Sequence, residues 1–388
     1  MWSEPSVRSA PRRTRSVSDD GRIPRTREAQ VNDHLIGPGA PAPSPDQQAR
    51  HAAETHLDRL AVPRGALGRL GDVAAWLSAV QGETPPQPPA DIRAVVFAGD
   101  HGVASHDVSA YPREVTAAMV RAFLAGDAGV AVLARQNRVR LRVLDIAVDA
   151  DLSDVPADVR RHKIRRGSGA IHLEDALDRR ECIDALHAGA AVAAEEIDAG
   201  ADLLIGGDMG IGNTTPAAAV VAATLGLPAS QVVGRGTGVG DEALTHKEAV
   251  IDAALARVDA AHGDAASSDA ADVAITTLTT VGSADIAAGV GYLIGAVRGR
   301  TPVLLDGLIS VAEALVAEEL CPGAIQWFCA GHRSTEPAQS FALEKLGLEP
   351  LLDLGMRLGE GSGAVAAVPL IRSAATLLAE TGLLEDLG

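Results

Sequence analysis

Five short apolar runs constrain the fold of this 388-residue chain more than any other feature. Each is followed within two residues by glycine or aspartate, and a helical pattern comes next. The runs are residues 94–98, 139–143, 203–205, 303–305 and 325–329. Near-continuous apolar strands that alternate with helices are typical of a parallel sheet buried on both faces. The sequence therefore predicts an α/β fold, with a doubly wound, Rossmann-like parallel sheet flanked by helices.

The ends of these runs indicate where a ligand would bind. Asp100, Asp208 and Asp306 follow three of the runs, and glycine-rich loops accompany them. Doubly wound sheets bind their ligands outside the carboxyl ends of the strands. We therefore expect the active site at this edge of the sheet.

Composition divides the chain into three parts. Residues 1–46 are rich in Pro, Ser and Arg and lack apolar periodicity, which predicts a disordered leader. Residues 47–90 predict the N-terminal helices of a smaller helical domain. Residues 91–388 predict the α/β domain, and the last helices of the chain belong either to it or to the small domain.

Charge and cysteine content limit the class of protein. The net charge is −17; seven Arg and four acids give residues 1–30 a charge of +3, which leaves −20 for the rest. This acidic body argues against nucleic acid as a partner. Cys182, Cys321 and Cys329 are predicted to be reduced structural thiols of a cytoplasmic protein.

Targeting and membrane signals are weak. Arg12 and Arg13 have no apolar segment after them, so we expect no export. The charge-free stretch 209–234 contains Asn213, Pro216 and several glycines, which favours a loop and a buried helix. We therefore expect no membrane segment.

Two glycine-rich loops are candidates for anion binding. The first, residues 208–216, has the sequence DMGIGNTTP. It fits a phosphate cradle at a helix N-terminus and a structural turn equally well. The second, residues 234–241, precedes a helix that contains Lys247. Lys247 could bind a phosphate or carboxylate as a point charge, or it could lie on a solvated helix face.

The segment after the first apolar run offers weaker signals. His101 beside Asp100 could suggest a metal site, but no second histidine stands at ligand spacing. A Ser-His-Asp hydrolase is not supported, because no Gly-x-Ser-x-Gly sequence follows a strand. Ser109 could form a hydrogen bond to a ligand.

One carboxylate near the end of the chain has an unusual setting. Glu360 lies between Gly359 and Gly361, after an apolar run. An acid in a tight, partly apolar loop tends to have a raised pKa and can accept a proton near neutral pH. The alternative is a carboxylate at a helix start, where the helix dipole favours it. The local sequence leaves both interpretations open.

Several segments together resemble the nicotinate-nucleotide–dimethylbenzimidazole phosphoribosyltransferase family, or CobT family, of cobalamin biosynthesis. The matching segments are RGALGRL (64–70), AGDHGV (98–103), VSAYP (108–112), GDMGIGNTT (207–215), LLDG (304–307), GHRS (331–334) and residues 346–364. They occur in family order over roughly residues 50–388.

The resemblance implies a single-displacement reaction between nicotinate mononucleotide and a benzimidazole-type base, in a homodimer that needs no cofactor or metal. It assigns Glu360 as the general base. The residues that it implies for the aromatic base are Ser109, Tyr111 and Leu358. Those that it implies for the mononucleotide are Asp208, Gly210, Asn213, Thr214, Gly238, Lys247, Asp306, Gly307 and Ser334.

The chain departs from the family pattern in places. Ala117 and Ala118 stand where the family usually carries a glutamine, and Asp208 stands where many members have glutamate. Residues 337–339 replace a Pro-Gly-His sequence. Two alternatives follow: an enzyme with a shifted acceptor base, and a non-catalytic paralogue that binds a nucleotide or an aromatic base.

Overall fold

The computed structural model describes residues 39–263 and 269–387. Its centre is a five-stranded parallel sheet in the order β2-β1-β3-β4-β5. The strands are β1 (Ile92–Gly99), β2 (Val139–Ala147), β3 (Leu203–Met209), β4 (Val303–Leu305) and β5 (Phe328–Ala330). Every residue of β1, β3, β4 and β5 is buried, as strands covered on both faces must be. The predicted α/β fold with a parallel sheet is confirmed.

Helices cover both faces of this sheet. They are α1 (Gln47–Leu57), α2 (Arg69–Gln81), α3 (Val115–Ala125), α4 (Gly129–Asn137), α5 (Arg179–Asp198), α6 (Thr214–Leu225), α7 (Ala229–Val232), α8 (Asp241–His262), α9 (Ala270–Val281), α10 (Ala284–Arg298), α11 (Leu308–Leu320), α12 (Pro337–Leu346) and α13 (Ser362–Glu380). Successive residues of a strand face opposite sides. Accordingly, Gly206 faces Tyr292 of α10, whereas Gly207 faces the segment that precedes α13.

The strand order places a topological switch beside β1. This strand pairs in parallel with β2 on one side and β3 on the other, so Phe97 lies opposite both Leu144 and Asp208. A crevice opens at such a switch, outside the carboxyl ends of the strands. The loops after β1 and β3 therefore border a binding site.

The prediction of a strand over residues 325–329 is wrong for residues 325–327. Residues Ala324–Trp327 form a 3₁₀ helix, and the strand begins only at Phe328. Gly323 has φ +92°, and the Glu318 carboxylate accepts hydrogen bonds from the backbone N–H groups of Gly323 and Ile325. These bonds hold the chain in a turn, which an apolar pattern does not reveal.

The ends of the described chain pack together. Helices α1 and α2 pack against each other, and both contact α13. Leu60 and Leu383 form an antiparallel bridge between the two terminal segments. Within the predicted leader, Gly39 donates a hydrogen bond to the Leu320 carbonyl, and residues 1–38 lie outside the described residues. The division into a small helical domain and an α/β domain stays a prediction.

Two helical segments, Val115–Asn137 and Ser362–Glu380, are long and apolar enough to cross a membrane by length and composition. The first consists of α3 and α4, which are separated at Gly126. In the second, 56% of the apolar window is buried in the protein. Core helices commonly share these properties, so the expectation of no membrane segment stays a prediction.

The three cysteines are buried and form no disulfide. Burial raises the pKa of the Cys182 and Cys329 thiols to about 12. Thiols with such pKa values are unreactive at neutral pH, in keeping with a structural role.

Candidate active site

A cavity of about 550 Å³ opens at the carboxyl end of the sheet. This volume lies within the usual range for small-molecule sites, roughly 300–1,000 Å³. Ten of the thirteen residues predicted for the site line its wall. They are Tyr111, Asp208, Gly210, Asn213, Thr214, Asp306, Gly307, Ser334, Leu358 and Glu360.

The other three predicted residues lie behind that wall. The Ser109 hydroxyl is 3.1 Å from the hydroxyl of Thr237, which lines the cavity. Lys247 is fully buried and donates hydrogen bonds to Thr214 Oγ1 (2.7 Å) and the Gly234 carbonyl (3.0 Å). Gly238 adopts φ +99° beside the Arg357 guanidinium. The solvated-face alternative for Lys247 is therefore wrong, while the roles of all thirteen residues stay predictions.

The cavity wall contains both apolar and polar residues. The apolar residues include Val115 and Met119 of α3, Ile211, Ile309 and Leu358. The polar residues include Asn213, Thr214 and Ser334. Thr214 is the first residue of α6, a 12-residue helix whose N-terminal N–H groups and dipole favour an anion. An aromatic ring and a phosphate therefore find suitable surroundings in the same cavity.

Glu360 is held in an unusual backbone conformation. Its φ is +64°, and its neighbours Gly359 and Gly361 have φ values of +76° and +85°. A left-handed conformation is costly for glutamate, by about 1 kcal/mol or more, and such strain is concentrated at functional sites. The following residue, Ser362, begins α13. Both interpretations of the sequence thus describe one feature: a carboxylate in a glycine loop, just before a helix.

The Glu360 carboxylate is poised to exchange a proton near neutral pH. Its side chain is buried at the cavity wall, and its Oε2 atom accepts no hydrogen bond from the described residues. Burial raises the pKa of Glu360 to about 7. A backbone hydrogen bond from Val130 opposes this rise, and the nearby Asp306 charge adds to it. A carboxylate with such a pKa can serve as a general base at neutral pH.

A buried cluster lies behind the cavity at the end of β3. Asn213 Nδ2 donates a hydrogen bond of 2.7 Å to Asp208 Oδ1, and Asp285 lies close to Asp208. His101 Nε2 is 3.1 Å from Asp285 Oδ2. Burial, reinforced by the Asp285 charge, raises the pKa of Asp208 well above its ordinary value.

The same cluster contains an ion pair. Burial opposes the charge on both His101 and Asp285, yet their mutual attraction outweighs it. The pKa of His101 is consequently raised, and that of Asp285 is lowered. The His101–Asp285 pair is thus shifted towards its charged form, and Asp208 towards its neutral form.

This cluster bears on metal binding. One ligand atom from each of His101, Asp208 and Asp285 lies within 4.8 Å of the others. The sequence missed this group because its second acid, Asp285, reads as an ordinary acidic residue in the first turn of α10. A divalent cation that bound here would have to disrupt the 3.1 Å contact between His101 Nε2 and Asp285 Oδ2. The expectation of a metal-free site stays a prediction.

Two buried charged residues, Lys247 and Glu336, form hydrogen bonds to the glycine-rich loop 234–241. The Gly236 N–H donates a hydrogen bond of 2.8 Å to Glu336 Oε1. A Cβ atom on Gly234 would lie 2.0 Å from Glu336 Oε2, so a larger residue there would displace the Glu336 carboxylate. Burial lowers the pKa of Lys247 to about 8, and the Glu336 charge opposes this shift. Glu336 was not among the predicted site residues, although this residue closely follows the GHRS segment in the chain.

Comparison with known proteins identifies the family. A model of the phosphoribosyltransferase family matches residues 42–387, which is most of the chain. The chain belongs to this family. The nicotinate-nucleotide–dimethylbenzimidazole phosphoribosyltransferase of Mycolicibacterium paratuberculosis is 50% identical over 346 residues, 89% of this chain and 95% of the relative. The enzyme of that name from Mycobacterium tuberculosis is 47% identical over 349 residues, 90% of this chain and 94% of the relative.

Solved structures of the family have the same fold. The crystal structure of CobT from Thermus thermophilus matches with a TM-score of 0.80 and 41% sequence identity. The match covers 86% of this chain and 96% of that one. The family resemblance that the sequence motifs predicted is thereby confirmed.

Proposed function

We propose that this phosphoribosyltransferase transfers the phosphoribosyl group of nicotinate mononucleotide to 5,6-dimethylbenzimidazole. The products are α-ribazole 5′-phosphate, for the lower nucleotide loop of cobalamin, and nicotinate. The observation that carries the proposal is Glu360, a buried carboxylate with a pKa of about 7 at the wall of the cavity. The names of the similar enzymes supply the two substrates.

The proposed reaction needs one base. A ring nitrogen of the benzimidazole attacks C1′ of the ribose, and a C–N bond forms there. The bond from C1′ to the pyridinium nitrogen breaks, and its electron pair returns to the ring, so nicotinate leaves without an acid catalyst. The other benzimidazole nitrogen gives up its proton, and Glu360 accepts it. The mixed wall of the cavity supports this reaction, because it contains apolar residues suited to the aromatic base and polar residues suited to the phosphoribosyl group.

A panel of acceptors tests this proposal and its alternatives. Purified protein is mixed with nicotinate mononucleotide and, separately, with dimethylbenzimidazole, unsubstituted benzimidazole, a purine and a phenol. We expect nicotinate release to be fastest with dimethylbenzimidazole. Faster release with another acceptor would favour the acceptor-shifted enzyme. Tight mononucleotide binding in calorimetry, with no release for any acceptor, would favour the non-catalytic paralogue.

One observation bears on the acceptor-shifted alternative. Val115 and Met119 line the cavity on α3, whereas Ala117 is buried outside its wall and Ala118 is exposed. The surface that this helix presents to the cavity is therefore apolar, and neither alanine of the glutamine region contributes to it. Such a surface favours acceptors with methyl groups at this end over acceptors with polar substituents.

The pH dependence follows from the state of the base. We expect kcat/KM to rise with pH through about 7 and to level off above it, because Glu360 must lose its proton before it can act. Initial rates over the range from mildly acidic to mildly alkaline pH measure this limb, and a separate titration of the free acceptor accounts for its own ionisation. In a Glu360→Gln variant, the limb should disappear from the residual activity. If it persisted there, another group would be responsible.

The homodimer and the cytoplasmic location remain predictions. The resemblance to the family supports the first, and sedimentation equilibrium of the purified protein would test it. The balance of charge and the free, buried cysteines support the second.

A further inference from the structure

The carboxylate of Asp306 joins the end of β4 to the start of α13. Gly361 N–H donates a hydrogen bond of 3.0 Å to Asp306 Oδ2, and Ala364 N–H donates one of 3.0 Å to Oδ1. Both hydrogen bonds are buried. Because each of its carboxylate oxygens accepts a hydrogen bond from a backbone N–H, Asp306 caps the N-terminus of α13 although it belongs to the segment after β4.

The start of α13 depends on this cap. The first N–H groups of a helix have no partner within the helix and need an acceptor. The residue at the N-cap position, Gly361, has no side chain that could supply one. Glycine is favoured at this position because the backbone there has φ +85°, which residues with a side chain rarely adopt. Asp306 therefore provides what the local sequence cannot.

The cap also fixes the residue before it. Glu360 lies between two flexible glycines and itself has a positive φ, which glutamate disfavours, so contacts from outside the loop must hold it in place. Bonds to Gly361 and Ala364 hold the C-terminal side of that loop. The end of β4 is itself held, because Gln339 Nε2 donates to the carbonyls of Asp306 (3.2 Å) and His332 (2.9 Å).

We propose that Asp306 is a positioning residue for Glu360, and that it acts through the start of α13 rather than as a ligand of the mononucleotide. This inference rests on the proposed function, in which Glu360 is the base. It revises the role that the family resemblance implies for Asp306. The reason is geometric: each carboxylate oxygen of Asp306 already accepts a backbone N–H at the start of α13, so this side chain has a defined structural task whether or not a ligand is bound.

Several charged or titratable groups surround Asp306 and Glu360. His332 Nε2, from the segment after β5, is 3.5 Å from Asp306 Oδ1. Glu313 of α11 is buried, and burial together with the Asp285 and Asp306 charges raises its pKa well above its ordinary value. Arg357 and Asp208 line the same cavity. Asp306 is the charged group that adds to the raised pKa of Glu360. Removing that charge should shift the acid limb of kcat/KM to lower pH.

The test compares Asp306→Asn and Asp306→Glu with wild-type protein. We expect kcat to fall by about 30- to 100-fold in both variants, since small displacements of a catalytic group have effects of this size. The dissociation constant for nicotinate mononucleotide, measured by calorimetry, should stay within about threefold of wild type. The acid limb should move to lower pH in Asp306→Asn and stay in place in Asp306→Glu, which keeps the charge.

Asp46→Asn is the matched control. The Asp46 side chain also accepts two backbone N–H groups at a helix start, from Gln48 and Ala49 of α1, but it does not line the cavity. We expect wild-type kinetics for this variant. Asp306→Glu retains an acceptor and a charge, so it serves as the test if Asp306→Asn does not fold.

Two results would overturn the inference. One is a loss of mononucleotide binding in the Asp306 variants that accounts for the loss of kcat/KM while kcat is retained. The other is an acid limb that does not move in a folded Asp306→Asn variant. If wild-type protein releases no nicotinate in the same assays, the proposed function itself is wrong, so the two failures are distinguishable.

Discussion

Glu360→Gln should reduce kcat by about 10²- to 10⁴-fold, the usual contribution of a general base. Glutamine has nearly the shape of protonated glutamate, so the cavity keeps its form, but it cannot accept the proton of the acceptor. The mononucleotide does not depend on this proton transfer for binding. Nicotinate release gives the turnover, and calorimetry should give a dissociation constant close to that of wild type. Near-normal turnover would remove Glu360 from the role of base.

The stability of this variant provides its control for folding. The folded-state pKa of Glu360, about 7, exceeds its ordinary value of 4.5. Protonated Glu360 therefore contributes stability that is fully present below pH 4.5 and is lost as the pH rises through about 7. Above that pH the native protein contains a buried, unpaired charge, and glutamine removes it. At about pH 8 we expect Glu360→Gln to be more stable than wild type, by up to about 3 kcal/mol.

Denaturant unfolding at about pH 5 and about pH 8 measures this difference. The gain in the free energy of unfolding should be large at the higher pH and small at the lower pH. An equal effect at both pH values would show that the Glu360 charge is not responsible. Loss of activity in a variant of higher stability could not be attributed to unfolding.

Gly207→Ala is expected to have the second large effect. Gly207 lies in β3, and a Cβ atom there would stand 2.5 Å from the carbonyl carbon and oxygen of Glu360 and 2.7 Å from the Gly361 nitrogen. These are backbone atoms that cannot rotate away, so the loop must move off the sheet. Overpacking of this kind costs about 1–3 kcal/mol or more. The displaced base should also lower kcat by about 100-fold.

The neighbouring glycine gives a matched control for this prediction. A Cβ atom on Gly206 would face the opposite side of the sheet, where the nearest atom, Tyr292 Cδ1, is 3.7 Å away. That is an ordinary van der Waals contact, so Gly206→Ala should change the free energy of unfolding by less than about 1 kcal/mol. Denaturant midpoints of the two variants measure the contrast. Similar midpoints would contradict the close approach of the loop to Gly207.

The sheet could be predicted because its physical cause is local. A strand covered on both faces must be apolar at consecutive positions, and residues 94–98, 203–205 and 303–305 show this directly. The ends of the strands were harder to predict from the sequence. Gly206 and Gly207 read as the start of a loop, but they lie within β3. Glycine is required at 207 by the approach of residue 360, which no local pattern can indicate.

Residues that line the cavity could be predicted where several of them lie together in one sequence motif. The Glu360 loop and the 208–216 loop are of this kind, and most of their predicted residues line the cavity. Asp285 was missed because it meets His101 and Asp208 only through the tertiary fold. The burial of Lys247 could not be predicted either, because a single lysine in a helix does not indicate which face of the helix packs against the protein. The hydrogen bonds of Asp306 to α13 likewise depend on the packing of distant segments.

The order of the elements along the chain has a consequence for biosynthesis. Most of the cavity wall comes from strands and loops that precede α12, but the proposed base arrives with the last long helix, α13. That helix packs against α2, which is synthesised well before it. A nascent chain that ends before Glu360 would hold the mononucleotide side of the cavity without the group that activates the acceptor. On the proposed mechanism, catalytic competence would be acquired only when α13 packs against α2 and the Gly361 and Ala364 N–H groups bond to Asp306.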